Sequence, residues 1–576
     1  MELDPSPSPV RAHPARPWWC VALILIGTLV TFSPLLKCAF TDWDDPDTIW
    51  ANPHMRPATA SSIGYYWTHA EEELYIPLTY TLWGGLARIK QAPVPNGSLG
   101  PAAVVFHAAN ILVHALAALT AFAILRRIIK HDWAACAGAL IFALHPLQTE
   151  TVAWASGMKD LLAGMFVLIA MWQYLVWIEK PSAWRYAIVI VAMVLGMLSK
   201  PAAVVTPLLL AAIDLLVAQR SWRASAKSLW PFFALAIPCI LWTRAAQPPS
   251  LGAHVALWQR PLIACDALAF YLRKLLWPRA LGMDYGRTPA MVLAKGWRAA
   301  ACVVPVAFVA AALWHFRNRV RPLAAGAVII LAGVLPVLGL LPFEFQTRST
   351  VADHYVYVSM LGLALAAAWA LARLPHRVGF YATVIILGAL ALRTLDQTRY
   401  WKDSRVLFAH AIEVNPLSFS ANQNLAVIAG YDAELLAAHA SLLADHDADA
   451  ADECRAQANE KLRESERYLA KVLELQPGFA SALHTRAALR ARFGRHQEAI
   501  DDLNALLDQL PKLRHDEQET FAGDFNMLGQ EYLRVAEPEK AIKCFDRMLQ
   551  LRPNDKSAQR GKAKAVAMAR ETAEAD

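Results

Sequence analysis

The sequence is poor in charge for its length. Asp, Glu, Lys and Arg make up only 18% of 576 residues, whereas 56% are hydrophobic and the mean hydropathy is +0.30. An average soluble domain carries about a quarter charged residues. The shortage excludes a wholly soluble multidomain chain and favours a polytopic membrane protein with a soluble part. The net charge is +7, and we expect no nucleic-acid partner.

Several motifs are also missing. The eight cysteines form no CxxC pair and no metal-ligand spacing, so neither a disulfide framework nor a metal site is predicted. The sequence has no P-loop, dinucleotide-binding fingerprint or zinc motif, which argues against an enzyme of the soluble type. The lack of repeated halves broken by Gly and Pro counts against a transporter, the weakest of three interpretations.

Long apolar runs are abundant. The first, Trp18 to Phe40, is too long for a signal peptide and lacks a small-residue cleavage site, so it predicts a retained transmembrane helix. Ten more runs follow, and together they predict about eleven spans. These runs are 101–125, 133–149, 160–178, 184–199, 201–218, 229–244, 299–315, 322–342, 355–373 and 378–394. Basic residues cluster in alternate loops, which places the N-terminus in the cytoplasm and everything after about residue 394 on the outer face.

The tail beyond residue 394 is polar and repetitive. A 34-residue unit that begins at Ala522 has Gly529, Ala541 and Pro553 at tetratricopeptide positions, and the unit before it begins at Ala480. An earlier unit is split between 421–430 and 465–477 by an Ala- and Asp-rich insert. The tail therefore predicts a tetratricopeptide α-solenoid, which serves either to bind a polypeptide or as a stabilising cap.

An acidic cluster, "FTDWDDPDTIWANP" at 40–53, follows the first apolar run. Four aspartates within six positions are too costly to place in lipid, so the segment lies at the outer surface. Asp44 and Asp45 precede a proline and form a pair suited to deprotonate a hydroxyl, because neighbouring like charges raise one pKa. A polar collar that ends the first helix is the alternative.

Other polar side chains lie at the same predicted membrane edge. His107, Asn110 and His114 share one helix face, and such a stripe predicts the lining of a cavity. The segments "HPLQTETVAWASGMKD" (145–160), "SKP" (199–201) and "QTRSTVADHYVY" (346–357) each place polar groups at the outer end of a predicted span.

The order of these motifs, with "YIPLTY" and "YLRKLLWPRALGMDY" between them and tetratricopeptide repeats at the end, resembles the transmembrane-and-tetratricopeptide-repeat glycosyltransferases. These are relatives of the protein O-mannosyltransferases in the GT-C class. The resemblance implies a GT-C fold, an acidic catalytic pair in the first outer loop, a polyprenyl-phosphate-linked sugar donor and transfer with inversion. It assigns Asp44 and Asp45 as the catalytic pair. The substrate-binding candidates are Asn52, Tyr75, His107, Asn110, His114, His145, Glu150, Lys159, Asp160, Lys200, Lys274, Arg348, His354 and Tyr355.

Two positions depart from the family pattern. Met158 and His354 stand where the pattern has arginine. If those arginines bind donor phosphate, Lys200 and Arg348 are the substitutes available here. In the basic stretch 270–280, Arg273, Lys274 and Arg279 either hold lipid phosphate or only snorkel towards headgroups.

The sequence therefore predicts an all-α protein with three parts: a cytoplasmic tail (1–16), a GT-C-like membrane domain (17–394) and a tetratricopeptide domain (395–576). We expect a multi-pass inner-membrane protein with periplasmic repeats, or lumenal repeats in an endoplasmic reticulum. Its partners are membrane lipid, the lipid-linked donor and a polypeptide acceptor with Ser/Thr hydroxyls. No cofactor is assigned, and a divalent metal is left open. An inactive membrane-anchored tetratricopeptide scaffold is the alternative function.

Overall fold

A computed structural model describes residues 17–71, 74–93, 99–246, 255–296, 302–316, 320–513, 518 and 520–575. The predicted cytoplasmic tail and parts of the long basic loop lie outside these residues. The chain divides into two compact units between His410 and Ala411. The domain boundaries expected from sequence, including the one at 394/395, stay predictions.

The first unit is built of helices. Its α-helices are Trp18–Phe32, Ala60–Tyr65, Pro77–Ala87, Ala103–Ile129, Asp132–Leu144, Thr149–Ala153, Met158–Glu179, Ala183–Ser199, Thr206–Ala212, Trp222–Ala246, Arg260–Leu276, Pro289–Leu293, Val303–Phe316, Arg321–Val334, Met360–Leu371, His376–Thr398 and Ser404–Val414. The last of these continues past the boundary. Short 3₁₀ or π turns are Ser33–Lys37, Pro46–Trp50, Pro53–Met55, Pro146–Gln148, Ala155–Gly157, Pro201–Val205, Ile213–Val217, Leu257–Gln259, Leu335–Val337, Glu344–Thr347, Asp353–Val356 and Arg399–Trp401.

The predicted all-α class is confirmed, because the described residues contain only one small sheet. Its two strands, Gln91–Pro93 and Leu99–Pro101, pair antiparallel with Gln91 opposite Pro101. This hairpin precedes helix Ala103–Ile129. Every apolar run predicted from sequence has a helix in the structure, although residues 299–301 of one run are not described.

Six helical segments in the described part of the chain are long and apolar enough to cross a bilayer. They are Trp18–Lys37, Ala103–Ile129, Ala155–Glu179, Trp222–Ala246, His376–Trp401 and Phe419–Leu443. Shorter apolar segments are Asp132–Leu144, Ala183–Ser199, Pro201–Val217, Arg321–Val337 and Met360–Leu371. A straight crossing needs about 20 residues. The helices make this a membrane protein, whereas the count of about eleven spans and the GT-C topology stay predictions.

Small residues let several of these helices approach closely. A Cβ on Gly362 would lie 2.2 Å from the carbonyl oxygen of Gly326, so helices Arg321–Val334 and Met360–Leu371 touch backbone to backbone. A Cβ on Gly164 would lie 2.4 Å from the Tyr357 ring. Membrane helices use such small residues because lipid supplies no hydrophobic drive for their association.

The second unit consists of antiparallel helix pairs. Its helices are Phe419–Leu443, Ala448–Leu475, Ala480–Arg492, His496–Leu507, Asp524–Arg534, Pro538–Leu551 and Lys556–Ala575, with a 3₁₀ turn at Leu510–Lys512. The insert that splits the first predicted repeat extends both helices of one long pair. Ala426, Leu462 and Leu469 belong to the core of that pair. Helix Phe419–Leu443 is one of the six segments that are long and apolar enough to span a membrane. None of the apolar runs predicted from the sequence includes it. The tetratricopeptide assignment itself stays a prediction.

Candidate active site

Asp45 is the buried member of the acidic pair. Its carboxylate is 0% exposed and accepts four hydrogen bonds. Oδ1 accepts from the backbone N–H and the hydroxyl of Ser156 at 3.0 and 2.6 Å, and Oδ2 accepts from the N–H and the hydroxyl of Thr41 at 2.9 and 3.1 Å. Burial raises the pKa of Asp45 to about 6, and the bonds from Ser156 and Thr41 oppose that rise. Asp45 therefore holds the acidic loop in place. Its two carboxylate oxygens are occupied by the four bonds from Ser156 and Thr41 and do not face a substrate.

Asp44 differs from its neighbour because its side chain is 37% exposed. One carboxylate oxygen lies 3.2 Å from Nζ of Lys159, whose side chain is only 8% exposed. The Lys159 ammonium also lies 4.5 Å from the centre of the Trp154 ring. The cation is thus fixed from two sides, and the Asp44 carboxylate keeps an accessible surface.

A second ion pair begins one residue after Lys159. Nζ of Lys200 lies 2.7 and 2.8 Å from the two oxygens of Asp160, and 5.8 Å from the centre of the Tyr355 ring. Burial lowers the pKa of Lys200, and the Asp160 carboxylate opposes the change. Because Lys159 and Asp160 are consecutive, the two pairs form one charged cluster at the start of helix Met158–Glu179.

Arg348 is a third cation near the acidic loop. Its guanidinium lies 5.6 Å from the centre of the Trp43 ring, and Trp43 meets the Phe345 ring edge-on at 6.4 Å. Arg348 has an exposed side chain, and among the described residues it forms no ion pair. Trp43 directly precedes Asp44, so an aromatic ring and an available cation lie beside the accessible carboxylate.

Glu150 and His354 form a hydrogen-bonded pair behind this cluster. Nδ1 of His354 lies 2.8 Å from one oxygen of Glu150, and the other oxygen accepts from the backbone N–H of Asp353 at 3.0 Å. The Tyr285 hydroxyl donates to Asp353 at 2.7 Å. Burial and the charge of Glu150 raise the pKa of Asp353 well above its usual range. Glu150 thus orients the imidazole of His354.

A cavity of about 60 Å³ opens next to these groups. Its polar wall is formed by Asp160, Lys200, His354 and Tyr355. Its other walls are almost entirely apolar and include Ala163, Gly164, Val167, Ala203, Val205, Pro336, Val337 and Val358. The cavity therefore combines a charged end, formed by the Lys200–Asp160 pair and His354, with mostly apolar walls.

The predicted stripe on helix Ala103–Ile129 is buried and bonds mostly to backbone. Asn110 donates to the carbonyls of Val152 and Trp154 at 3.1 and 2.7 Å. A ring nitrogen of His114 lies 3.0 Å from the Ala143 carbonyl, and the other lies 3.0 Å from the Tyr357 hydroxyl. Nε2 of His107 lies 3.4 Å from the Ala39 carbonyl. The stripe fastens the helix to the loops that carry the charged cluster, and none of the three residues lines the 60 Å³ cavity.

Four other candidates serve local structure. His145 lies 3.1 Å from the Leu275 carbonyl. Lys274 donates to the carbonyls of Arg279 and Ala280 at 2.6 Å each, and burial lowers its pKa to about 8. Asn52 bonds to the backbone of Asp47 and His54 and to the Tyr66 hydroxyl. Tyr75 donates to the Trp67 carbonyl. A direct substrate contact for these four stays a prediction.

Three residues of the site are not among those predicted from the sequence. Ser156 and Thr41 hold Asp45. Both lie inside the quoted segments 145–160 and 40–53, but nothing in the local pattern shows that they meet Asp45. Trp43 lies in the same acidic segment, and its contact with Arg348 depends likewise on tertiary structure. Among the described residues, no group of three or more His, Cys, Asp or Glu side chains could hold a metal ion.

Residues 100–243 match the family model for dolichyl-phosphate-mannose-protein mannosyltransferases. The resemblance to O-mannosyltransferases inferred from the motifs is thereby confirmed. Over 201 residues the chain is 28% identical to protein O-mannosyl-transferase Tmtc2 of Drosophila melanogaster, an alignment that covers 31% of this chain and 21% of the relative. Over 191 residues it is 27% identical to protein O-mannosyl-transferase TMTC1 of Homo sapiens, with 30% and 19% covered.

The chain thus matches about a fifth of the length of these curated relatives. The segment that matches the mannosyltransferase model contains Glu150, Lys159, Asp160 and Lys200, whereas the acidic loop at 40–53 precedes it. The similarity is to membrane mannosyltransferases at the level of the family.

Proposed function

We propose that this protein is an integral-membrane glycosyltransferase of the GT-C type. It transfers mannose or a similar hexose from a polyprenyl-phosphate donor to a hydroxyl acceptor, namely Ser or Thr of a polypeptide. The observation that carries the proposal is the accessible Asp44 carboxylate, which lies 3.2 Å from a buried lysine and belongs to the same charged cluster as the Lys200 end of a mostly apolar cavity.

The cavity suits the chemistry of a lipid-linked phosphate. Cations bind phosphate oxygens through charge-assisted hydrogen bonds. Lys200 is the buried ammonium group at the polar end of the cavity, and Lys159 is the buried ammonium group beside Asp44. The apolar walls beside them suit the first isoprene units of a polyprenyl chain. His354 takes the position of the family's arginine, so in this chain we assign the phosphate contact to His354 together with Lys200. Arg348 is available from the side of Trp43.

The transfer step follows from these positions. The acceptor oxygen forms a bond to the anomeric carbon of the sugar while the bond from that carbon to the phosphate oxygen breaks. The hydroxyl proton passes to Asp44, and the leaving polyprenyl phosphate takes the electron pair and is stabilised by the lysines. A single displacement inverts the anomeric configuration. Asp45 holds the loop and does not exchange the proton.

The proposed orientation is N-terminus in the cytoplasm and site on the outer face, that is, the periplasm or a lumen. The alternation of basic loops along the sequence supports it. In this arrangement the helical repeats after residue 410 lie on the same side as the site and present a polypeptide acceptor. No soluble cofactor is needed, because the donor arrives already activated.

The test is transfer by the purified protein in detergent with radiolabelled polyprenyl-phosphate sugars, mannose first, and a pool of Ser/Thr-rich peptides. Asp44→Asn should lower kcat by about a hundredfold or more, the usual effect of losing a general base. The fold should persist, because the amide oxygen can still accept from Lys159. Asp47→Asn, an exposed change three residues away, is the matched control.

If the wild type transfers sugar and the Asp44→Asn variant does so at the same rate, Asp44 is not the general base. No turnover of any donor, together with partner capture by residues 411–576 that ignores the Asp44 change, would favour the inactive scaffold instead.

A further inference from the structure

The acidic loop is tied to a segment that lies more than 350 residues later in the chain. We call residues 399–410 the joining segment, since it connects helix His376–Thr398 to the second unit. The backbone N–H of Asp42 donates to the hydroxyl of Ser404 at 2.9 Å, and that hydroxyl donates to the Asp42 carboxylate at 2.8 Å. The N–H of Ala39 donates to the Lys402 carbonyl at 2.9 Å.

The Ser404 hydroxyl is available for this contact because another residue caps its helix. Ser404 is the first residue of helix Ser404–Val414, and the residue before it holds the N-cap position, whose side chain accepts from the first turn. Here the Asp403 carboxylate accepts from the N–H of Val406 at 3.0 Å. The Ser404 hydroxyl therefore bonds to Asp42 both as acceptor and as donor.

The joining segment is itself held firmly in the first unit. Trp401 is only 3% exposed. The His410 ring stacks on Tyr400 with centroids 3.5 Å apart, and its Nε2 lies 2.9 Å from the Leu281 carbonyl. Tyr400, Trp401 and His410 also line a small cavity together with Glu150 and Asp353. The segment therefore bonds to the acidic loop and shares a cavity wall with Glu150 and Asp353.

We propose that Ser404 is a positioning residue for the base, an inference that rests on the proposed function. Asp42 is held by Ser404 on one side of Asp44, and Asp45 is held by Ser156 and Thr41 on the other. Because Asp42 and Asp45 flank Trp43 and Asp44, fixing both limits the positions open to the Asp44 carboxylate, which lies next to Lys159. Removal of the Ser404 hydroxyl releases Asp42, and that side of the loop then keeps the Ala39 backbone bond and the ring contacts of Trp43.

Ser404→Ala should lower kcat about tenfold to a hundredfold, the range expected when a catalytic group is misplaced by up to about 1 Å. The KM for the lipid-linked donor should stay unchanged, because Ser404 lies outside the lining of the cavity that we assign to the donor. Ser404→Thr keeps the hydroxyl and should restore kcat. Ser441→Ala, an exposed serine of the second unit, is the matched control.

Hydrogen exchange gives a readout that needs no substrate. The amide of Asp42 donates to Ser404, so Ser404→Ala should speed exchange in a peptide that spans residues 39–47, and Ser404→Thr should not. The melting temperature checks that the rest of the protein is intact.

The outcomes separate the two proposals. Unchanged kcat and unchanged exchange in Ser404→Ala would overturn the role of Ser404, even if Asp44→Asn abolishes transfer. A lower kcat that Ser404→Thr fails to restore would also count against it. If the wild type transfers no sugar, the proposed function fails, and the exchange measurement alone decides whether Ser404 orders the acidic loop.

Discussion

Two clusters of charged residues lie at opposite ends of the same helices. At one end, Lys159 and Asp160 begin helix Met158–Glu179, and Lys200 directly precedes Pro201–Val217. At the other end, Tyr174 lies in the last turns of the first helix and Asp214 near the end of the second. Both clusters pair a carboxylate with a cation beside apolar helices, yet they differ in what remains accessible.

The cluster around Asp214 is closed. Asp214 is 0% exposed and accepts from the Tyr174 hydroxyl at 3.0 Å and from Arg220 at 3.1 and 3.3 Å. Ser228 bonds to both of those donors, and the guanidinium lies 5.4 Å from the centre of the Trp177 ring. The group closes on itself and joins three helices, which is a structural role.

The cluster around Asp44 is open. Its carboxylate is 37% exposed, and neighbouring members line a cavity. The comparison teaches that charge beside a membrane helix is not by itself a sign of catalysis. What distinguishes the candidate site is a charged group whose hydrogen-bonding capacity is left partly unused and reachable.

The largest expected effect is on stability, at the closed cluster. Asp214→Ala leaves Arg220 without its carboxylate and should lower the free energy of unfolding by about 3 kcal/mol, since breaking a buried pair strands the remaining charge. Thermal melting in detergent checks this. Glu179→Gln, which breaks the more exposed pair with Arg127, is the control and should cost less than about 1 kcal/mol. Loss of transfer with an unchanged melt would mean that the closed cluster also acts in catalysis.

The next effect concerns Asp45. An amide cannot accept from both the Ser156 and the Thr41 donors, so Asp45→Asn should cost about 2 kcal/mol in unfolding free energy. Because burial raises the pKa of Asp45 from 3.8 to about 6, the folded state holds a proton between these pH values that the unfolded state has lost. The contribution of Asp45 to stability therefore falls as the pH rises through this window and is constant above it.

Melting curves of the wild type and Asp45→Asn from pH 4.5 to pH 7 test that sign. The advantage of the wild type should be greatest at the acidic end. A constant difference across the range would show that Asp45 titrates no differently in the folded and unfolded states.

The smallest effect is on donor binding, at the open cluster. Lys200→Gln removes the positive charge, so it should raise the donor KM about tenfold, or about 1.4 kcal/mol. Because it also leaves the buried Asp160 carboxylate without its cation, the melting temperature should fall as well. Lys180→Gln, an exposed lysine at the far end of helix Met158–Glu179, should leave KM unchanged. Equal KM values for the two variants would remove Lys200 from the phosphate site.

The pattern of residues along the chain was sufficient to predict several features of the protein. The apolar runs predicted helices that the structure contains, because twenty apolar residues in a row have few other stable arrangements. The density of aspartates at 42–47 predicts a loop outside lipid, and that position stays a prediction. The pairs at 159–160 and at 200 were found because charge at the end of an apolar run is rare.

The roles of individual side chains were decided by tertiary structure. Sequence could not separate Asp44 from Asp45, because they are adjacent and chemically identical. Ser156, 111 residues away, donates hydrogen bonds to the buried Asp45. Lys159, 115 residues away, forms an ion pair with Asp44. Likewise the stripe of His107, Asn110 and His114 has the spacing of a cavity lining, yet neighbouring segments supply backbone partners to all three.

Hydropathy and spacing are local properties, so the sequence by itself determined that the chain is helical, membrane-embedded and acidic at one loop. Hydrogen-bond partners are not local. Which aspartate is exposed, which lysine it meets and which serine holds its neighbour depend on contacts between segments up to 362 residues apart, and only the packed helices bring those segments together.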